Sequence, residues 1–109
     1  MTLRRGESPI SLGEGERALI RVRLSGALKE WTEGISSVEL DSGPDVLSVV
    51  RKLDARFPGL GLRIVDDQAR IRPHVNVFVN SENSKELGRE KARVGDGDTV
   101  HILPAVSGG

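Results

Sequence analysis

The residues best suited to chemistry are the last six, Pro104-Ala105-Val106-Ser107-Gly108-Gly109. Gly108 and Gly109 have no Cβ, so the backbone can thread a narrow slot and adopt any φ. A carboxylate on Gly109, with a reference pKa of about 3.3–3.7, is ionised at neutral pH. It can attack the α-phosphate of ATP, and the resulting acyl-adenylate can be opened by sulfide, a thiol or an amine. Six extended residues reach about 20 Å, enough to enter another protein's active site. The plain alternative is a frayed terminus or an expression scar. Glycine makes up 13 of 109 residues, so the pair alone is a modest signal. Its position raises the signal: a strand-like run, Thr99-Val100-His101-Ile102-Leu103, leads directly into the short Pro-led arm.

The rest of the chain offers little competing chemistry. There is no cysteine, which removes disulfides, thiolate metal sites and thiol nucleophiles together. A carried sulfur would therefore sit on the terminal carbonyl. His74 and His101 both fall in strand-like runs and read as structural or surface residues. Asp66-Asp67 reads as a solvated turn, with no histidine or third carboxylate near it in sequence. Gly59-Leu60-Gly61 lacks the lysine of a phosphate-binding loop. No nucleophile–base pair is visible, so the chain reads as a substrate of enzymes, with no metal and no bound cofactor of its own. Sixteen Lys and Arg balance sixteen Asp and Glu, which gives no basic field for nucleic acid or an anionic membrane. No apolar run approaches a membrane span and no signal-peptide core is visible, so the cytoplasm is the expected location.

The elements that must position the tail follow from periodicity. Residues 1–16 read as a loose extension, 17–103 as one domain and 104–109 as the tail. Ile20, Val22 and Leu24 alternate with Arg21 and Arg23, a half-buried strand. Leu28, Trp31 and Gly34 belong to a long connection, and Ser37-Val38-Glu39-Leu40 to a second strand. Pro44 and Asp45 signal a helix start, with Pro44 in the first turn. Val46, Leu47, Val49, Val50, Leu53 and Phe57 follow at helical spacing, and Pro58-Gly59 ends the run. Leu60 to Val65 reads as short and irregular. His74 to Asn80 is the strongest strand, with Val75, Val77 and Val79 on one face and Phe78 on the other. Phe78 either packs on a neighbouring loop or forms an exposed apolar patch for a partner. Lys85-Glu86-Leu87-Gly88 reads as a very short strand. Gly95-Asp96-Gly97-Asp98 turns into Thr99 to Leu103, where Val100 and Ile102 face inward. The pattern predicts an α+β domain with one main helix across a small mixed sheet, its first and last long strands parallel at the centre.

The run from Gly95 to Gly109 resembles the C-terminus of the ubiquitin-like sulfur carriers, the ThiS/MoaD-like family, and Val75-Asn76-Val77-Phe78-Val79-Asn80 resembles their central strand. The tail is most similar to cysteine-pathway carriers of the CysO type and to molybdopterin synthase small subunits. The resemblance implies a β-grasp fold with four to five strands. It also implies an E1-like adenylating enzyme of the MoeB/ThiF kind, which uses ATP and Mg²⁺ to activate Gly109. A sulfur donor would then form a thiocarboxylate, and a sulfur-accepting synthase would consume it in making a cofactor, cysteine or another metabolite. On this reading Pro104, Ala105, Val106, Ser107 and Gly108 thread the tail, while Phe78, His101 and Leu103 dock the partner. A ubiquitin-like modifier, joined through Gly109 to target lysines, is the alternative. The N-terminal extension and the insertion at 29–34 depart from the family pattern.

Overall fold

The computed structural model describes residues 19–104. The readings for the N-terminal extension and for residues 105–109 lie outside the described residues. The elements are β1 (Leu19–Leu24), β2 (Ser37–Asp41), α1 (Val46–Arg56), α2 (Gly61–Ile64), β3 (Val75–Val79), β4 (Glu82–Asn83) and β5 (Thr99–Pro104). The strands form one sheet in the order β2-β1-β5-β3-β4. β1 and β5 run parallel at its centre, with Val22 opposite Val100 and Leu24 opposite Ile102. The other neighbours are antiparallel. The period-2 pattern holds in all three long strands. Ile20, Val22, Leu24, Val75, Val77, Val79, Val100 and Ile102 are buried on one face, beneath α1.

The helix covers that face with Val46, Val49, Val50 and Leu53. Its start is set by Asp45, which is extended at φ −155° and is the N-cap residue. The Asp45 carboxylate accepts from the Ser48 N–H at 3.0 Å, and the Ser48 hydroxyl oxygen accepts from the Asp45 N–H at 3.3 Å. This reciprocal box satisfies two N–H groups that a helix end leaves orphaned. Pro44 therefore lies outside the helix, not in its first turn, because the cap forms one residue later. Phe57 closes the helix as its C-cap residue.

Two local readings are corrected. The segment after Pro58 is not irregular: Gly61–Ile64 is one turn of helix, with Leu60, Ile64 and Val65 buried. Asp54 organises it. Its Oδ1 accepts from the Gly59 N–H at 3.1 Å and the Gly61 N–H at 2.9 Å, so a residue on the polar side of α1 ties α2 to it. The short strand is Glu82–Asn83, not 85–88; Asn80 turns the chain at φ +59° and sets β4 back against Phe78 and Val79. Residues Ser84–Glu86 then form a 3₁₀ turn, started by the Asn83 side chain accepting from the Lys85 N–H at 2.9 Å. A core contribution that periodicity did not disclose comes from Ala92 and Val94, buried under the start of α1, where Val46 N–H donates to the Ala92 carbonyl at 3.0 Å.

Asp54 yields a direct test. Asp54→Ala should lower unfolding free energy in urea by about 1–3 kcal/mol, since it strands two N–H groups in a tight bend. Asp54→Asn, which keeps an acceptor oxygen, should lose clearly less. Equal losses would mean that the oxygen is not what holds the bend.

Candidate functional site

The tail is launched by the centre of the sheet. β5 pairs on one side with β1 and on the other with β3, where Ile102 stands opposite Val77, Leu103 opposite Asn76, and Pro104 opposite Val75. Val100 and Ile102 are fully buried. Pro104, read from sequence as the first residue of the arm, is the last residue of this strand. Its ring packs against the backbone at Gly26: a Cβ on Gly26, whose φ is +63°, would sit 3.0 Å from Pro104 Cγ. A side chain there would meet both the ring and an unfavourable φ.

The sheet face away from α1 carries the three residues that sequence assigned to docking. Phe78 stands directly across from His101, which in turn stands beside Arg23 on β1. Leu103 lies two residues further along β5 on the same face. All three are half-buried. The imidazole Nε2 of His101 is 2.8 Å from the Ser25 hydroxyl, which ties the ring to the end of β1. Further along, Arg21 and Glu39 pair at 3.3 Å with both side chains more than half exposed, so this pair adds little stability. The result is a mostly polar sheet face, with Leu103 beside Asn76 at the end nearest the tail and Phe78 and His101 two residues further back.

The opposite side of the exit holds a cluster that sequence reasoning missed. The long connection folds as a 3₁₀ segment, Gly26–Trp31, with Leu28 buried. Thr32 closes it, donating its hydroxyl to the Ile35 carbonyl at 2.7 Å. Trp31 stays 39% exposed. One face of its indole lies against Gly59, where a Cβ would approach Trp31 to 2.8 Å and φ is +96°. The Arg63 guanidinium sits 4.6 Å from the ring centroid, a cation–π contact. The only signals in sequence were a lone tryptophan in a loop and a Pro-Gly helix stop, neither of which names a partner.

Among the described residues no group of three or more His, Asp and Glu stands together as a metal would need. The first of the two turn aspartates is occupied by backbone: Asp66 Oδ1 accepts from the N–H groups of Gln68 at 2.9 Å and Arg70 at 3.0 Å. The Arg70 N–H foremost holds this exposed carboxyl below the usual range, with Gln68 and the charges of Arg70 and Arg72 adding to it. Among the described residues no helix is long and apolar enough to cross a membrane.

A small mixed sheet crossed by one helix, with parallel first and last strands, is the β-grasp arrangement. The ThiS family profile matches residues 22–109, from β1 through the terminal glycines. The chain belongs to the ThiS family. It is 35% identical over 92 residues to the sulfur carrier protein CysO of Mycobacterium tuberculosis, covering 83% of this chain and 98% of that one. It is also 36% identical over 70 residues to small archaeal modifier protein 3 of Haloferax volcanii, covering 64% of this chain and 75% of the relative. Among solved structures, a chain of the Amycolatopsis orientalis BexX/CysO complex superposes with a TM-score of 0.76. That match is 37% identical and covers 83% of this chain and 99% of the other. The fold expected from the resemblance is thus the fold observed, and the relatives named are a carrier and a modifier.

The geometry at Trp31 has a measurable consequence. Gly59→Ala should destabilise the domain by about 1–3 kcal/mol, because the new methyl meets the indole and φ is in the left-handed region. Trp31 is the only tryptophan, so its fluorescence reports the displacement without interference. A variant with unchanged emission and unchanged urea midpoint would refute the close packing of Gly59 on the ring.

Proposed function

We propose that this protein is a sulfur carrier and that Gly109 is its working residue. The observation that carries the reading is the central strand β5. It ends at Pro104, immediately before Ala105-Val106-Ser107-Gly108-Gly109, in a chain of the ThiS family that aligns with a sulfur carrier over most of both lengths. A rigid sheet holds the base of an arm whose last two residues offer no steric resistance.

The chemistry follows in three steps. A Gly109 carboxylate oxygen attacks the α-phosphorus of ATP in an E1-like adenylating enzyme, and pyrophosphate leaves. Hydrosulfide then attacks the acyl carbon and expels AMP, which leaves a thiocarboxylate. Finally its sulfur attacks an electrophilic carbon of the acceptor held by a synthase and displaces that carbon's leaving group, and hydrolysis of the resulting thioester returns the carboxylate. The ATP and Mg²⁺ belong to the activating enzyme, and this chain supplies the acyl group and the docking surface. The face carrying Phe78, His101 and Leu103 is the surface we assign to that enzyme, because Leu103 adjoins the base of the arm and the other two share its side of the sheet. The modifier reading is supported by the 36% identity to small archaeal modifier protein 3. It shares the first step and differs in the second, where a lysine amine takes the place of hydrosulfide.

The deciding experiment is an intact mass after incubation with an adenylating enzyme, ATP, Mg²⁺ and sulfide. Exchange of one oxygen for sulfur, mapped to Gly109, is the expected result. An unmodified chain that instead forms isopeptides with lysines in cell extract would favour the modifier. Gly109→Val should slow adenylation by about a hundredfold, since a misplaced carboxylate loses its attack geometry. Its urea midpoint should not move. Adenylation at the wild-type rate would defeat the steric argument for the glycines.

A further inference from the structure

A groove of about 370 Å³ opens beside the base of the tail, on the side away from Phe78. Its walls include Ala27, Leu28, Trp31, Arg63, His74 and Pro104. Pro104 is therefore both the last residue of β5 and part of the groove wall. Trp31 presents an exposed ring that lies close to Gly59 and under the Arg63 guanidinium. Arg63 has its guanidinium stacked on that ring, and among the described residues no carboxylate lies within ion-pair distance of it. A stacked guanidinium keeps its in-plane N–H donors free for an anion.

We propose that this groove is a resting berth for the chain's own last five residues, with the Gly109 carboxylate held against Arg63. The length fits: five residues span at most about 17 Å from Pro104 and need not leave the groove. The chemistry fits as well. Val106 is the one bulky apolar residue of the five and has Trp31 and Leu28 to lie on, while the terminal charge has Arg63 and His74. Glu30, the one acidic residue in the wall, selects against the carboxylate on its own side and leaves Arg63 as the favoured end. Ordering the arm costs backbone entropy, so the berth is weak and yields to an enzyme that binds the outer sheet face. Because the arm is tethered, its effective concentration at the groove is high even though the contact is small. The consequence is that an undocked carrier holds its terminal group, itself a nucleophile, away from stray electrophiles. That consequence rests on the sulfur-carrier reading; the berth itself does not.

The test needs no partner enzyme. The chain has no cysteine, so Ser107→Cys carries a single nitroxide label cleanly. Ser107 is three residues beyond Pro104, close enough to broaden amide signals on either side of the exit. A berthed arm should broaden Trp31, Arg63 and His74 several-fold more than Leu103 and Asn76, which flank Pro104 on the outer face. Adding Arg63→Gln should even out the two sides, while amide shifts in β1 and α1 stay in place to show that the fold is intact. Equal broadening of both sides in the first variant, or a bias toward Leu103 and Asn76, would overturn the berth. A bias that survives Arg63→Gln would overturn the assignment of the carboxylate to Arg63. Failure of thiocarboxylation in the mass experiment would leave these spectra unchanged, so the two ideas fail separately.

Discussion

Everything at the exit depends on the parallel pairing of β1 with β5. The strand that carries the tail is the middle strand of five, and it is bonded on both edges. Its inward residues, Val100 and Ile102, have no exposure, and burying such side chains stabilises by about 1.5–3 kcal/mol each. The base of the arm is thus part of the hydrophobic core of the domain. An edge strand would leave unpaired N–H and C=O groups beside the base of the tail and invite strand addition. The central position puts Pro104, where the tail begins, at the end of a strand paired on both edges.

The same sheet divides the molecule into two unequal sides. Under α1 it is packed with aliphatic residues. The other face stays open, and there cross-strand neighbours set the chemistry: Arg23, His101 and Phe78 stand in one row because β1, β5 and β3 are in register. That row explains why Phe78 is half-buried without a helix above it. His101 and Asn83 flank it across the strands, and His101 is itself tied to Ser25. The Phe78 row and the Trp31 groove lie on opposite sides of the same strand end, so the docking and the berth proposed above do not compete for one surface.

The elements that period-2 and helical spacing could show were legible: three long strands, the main helix, the inward valines and the parallel centre. Name-giving detail came from the Gly-Gly tail and the Val75-to-Asn80 run. What stayed hidden was local hydrogen bonding and the meeting of distant loops. Asp54 looked like an ordinary polar residue of an amphipathic helix, yet it ties α2 through two backbone N–H groups. Ser48 closes a capping box in place of the usual Glu or Gln, which moved the helix start past Pro44. Trp31, Gly59 and Arg63 are separated by up to 32 positions (63 − 31) and show no shared period, so only the folded chain brings them together.

The pairing of β1 and β5 also bears on mechanical load. In the function proposed above, an enzyme that draws the arm into a narrow channel pulls along the axis of β5. The pull is resisted in shear by two ladders of hydrogen bonds loaded together, rather than one bond at a time as in peeling an edge strand. Resistance to forced opening is set by the unfolding barrier, and shear raises the number of bonds that must fail at once. On the function proposed above, this pairing lets the tail be gripped and released by successive enzymes while the domain keeps its shape.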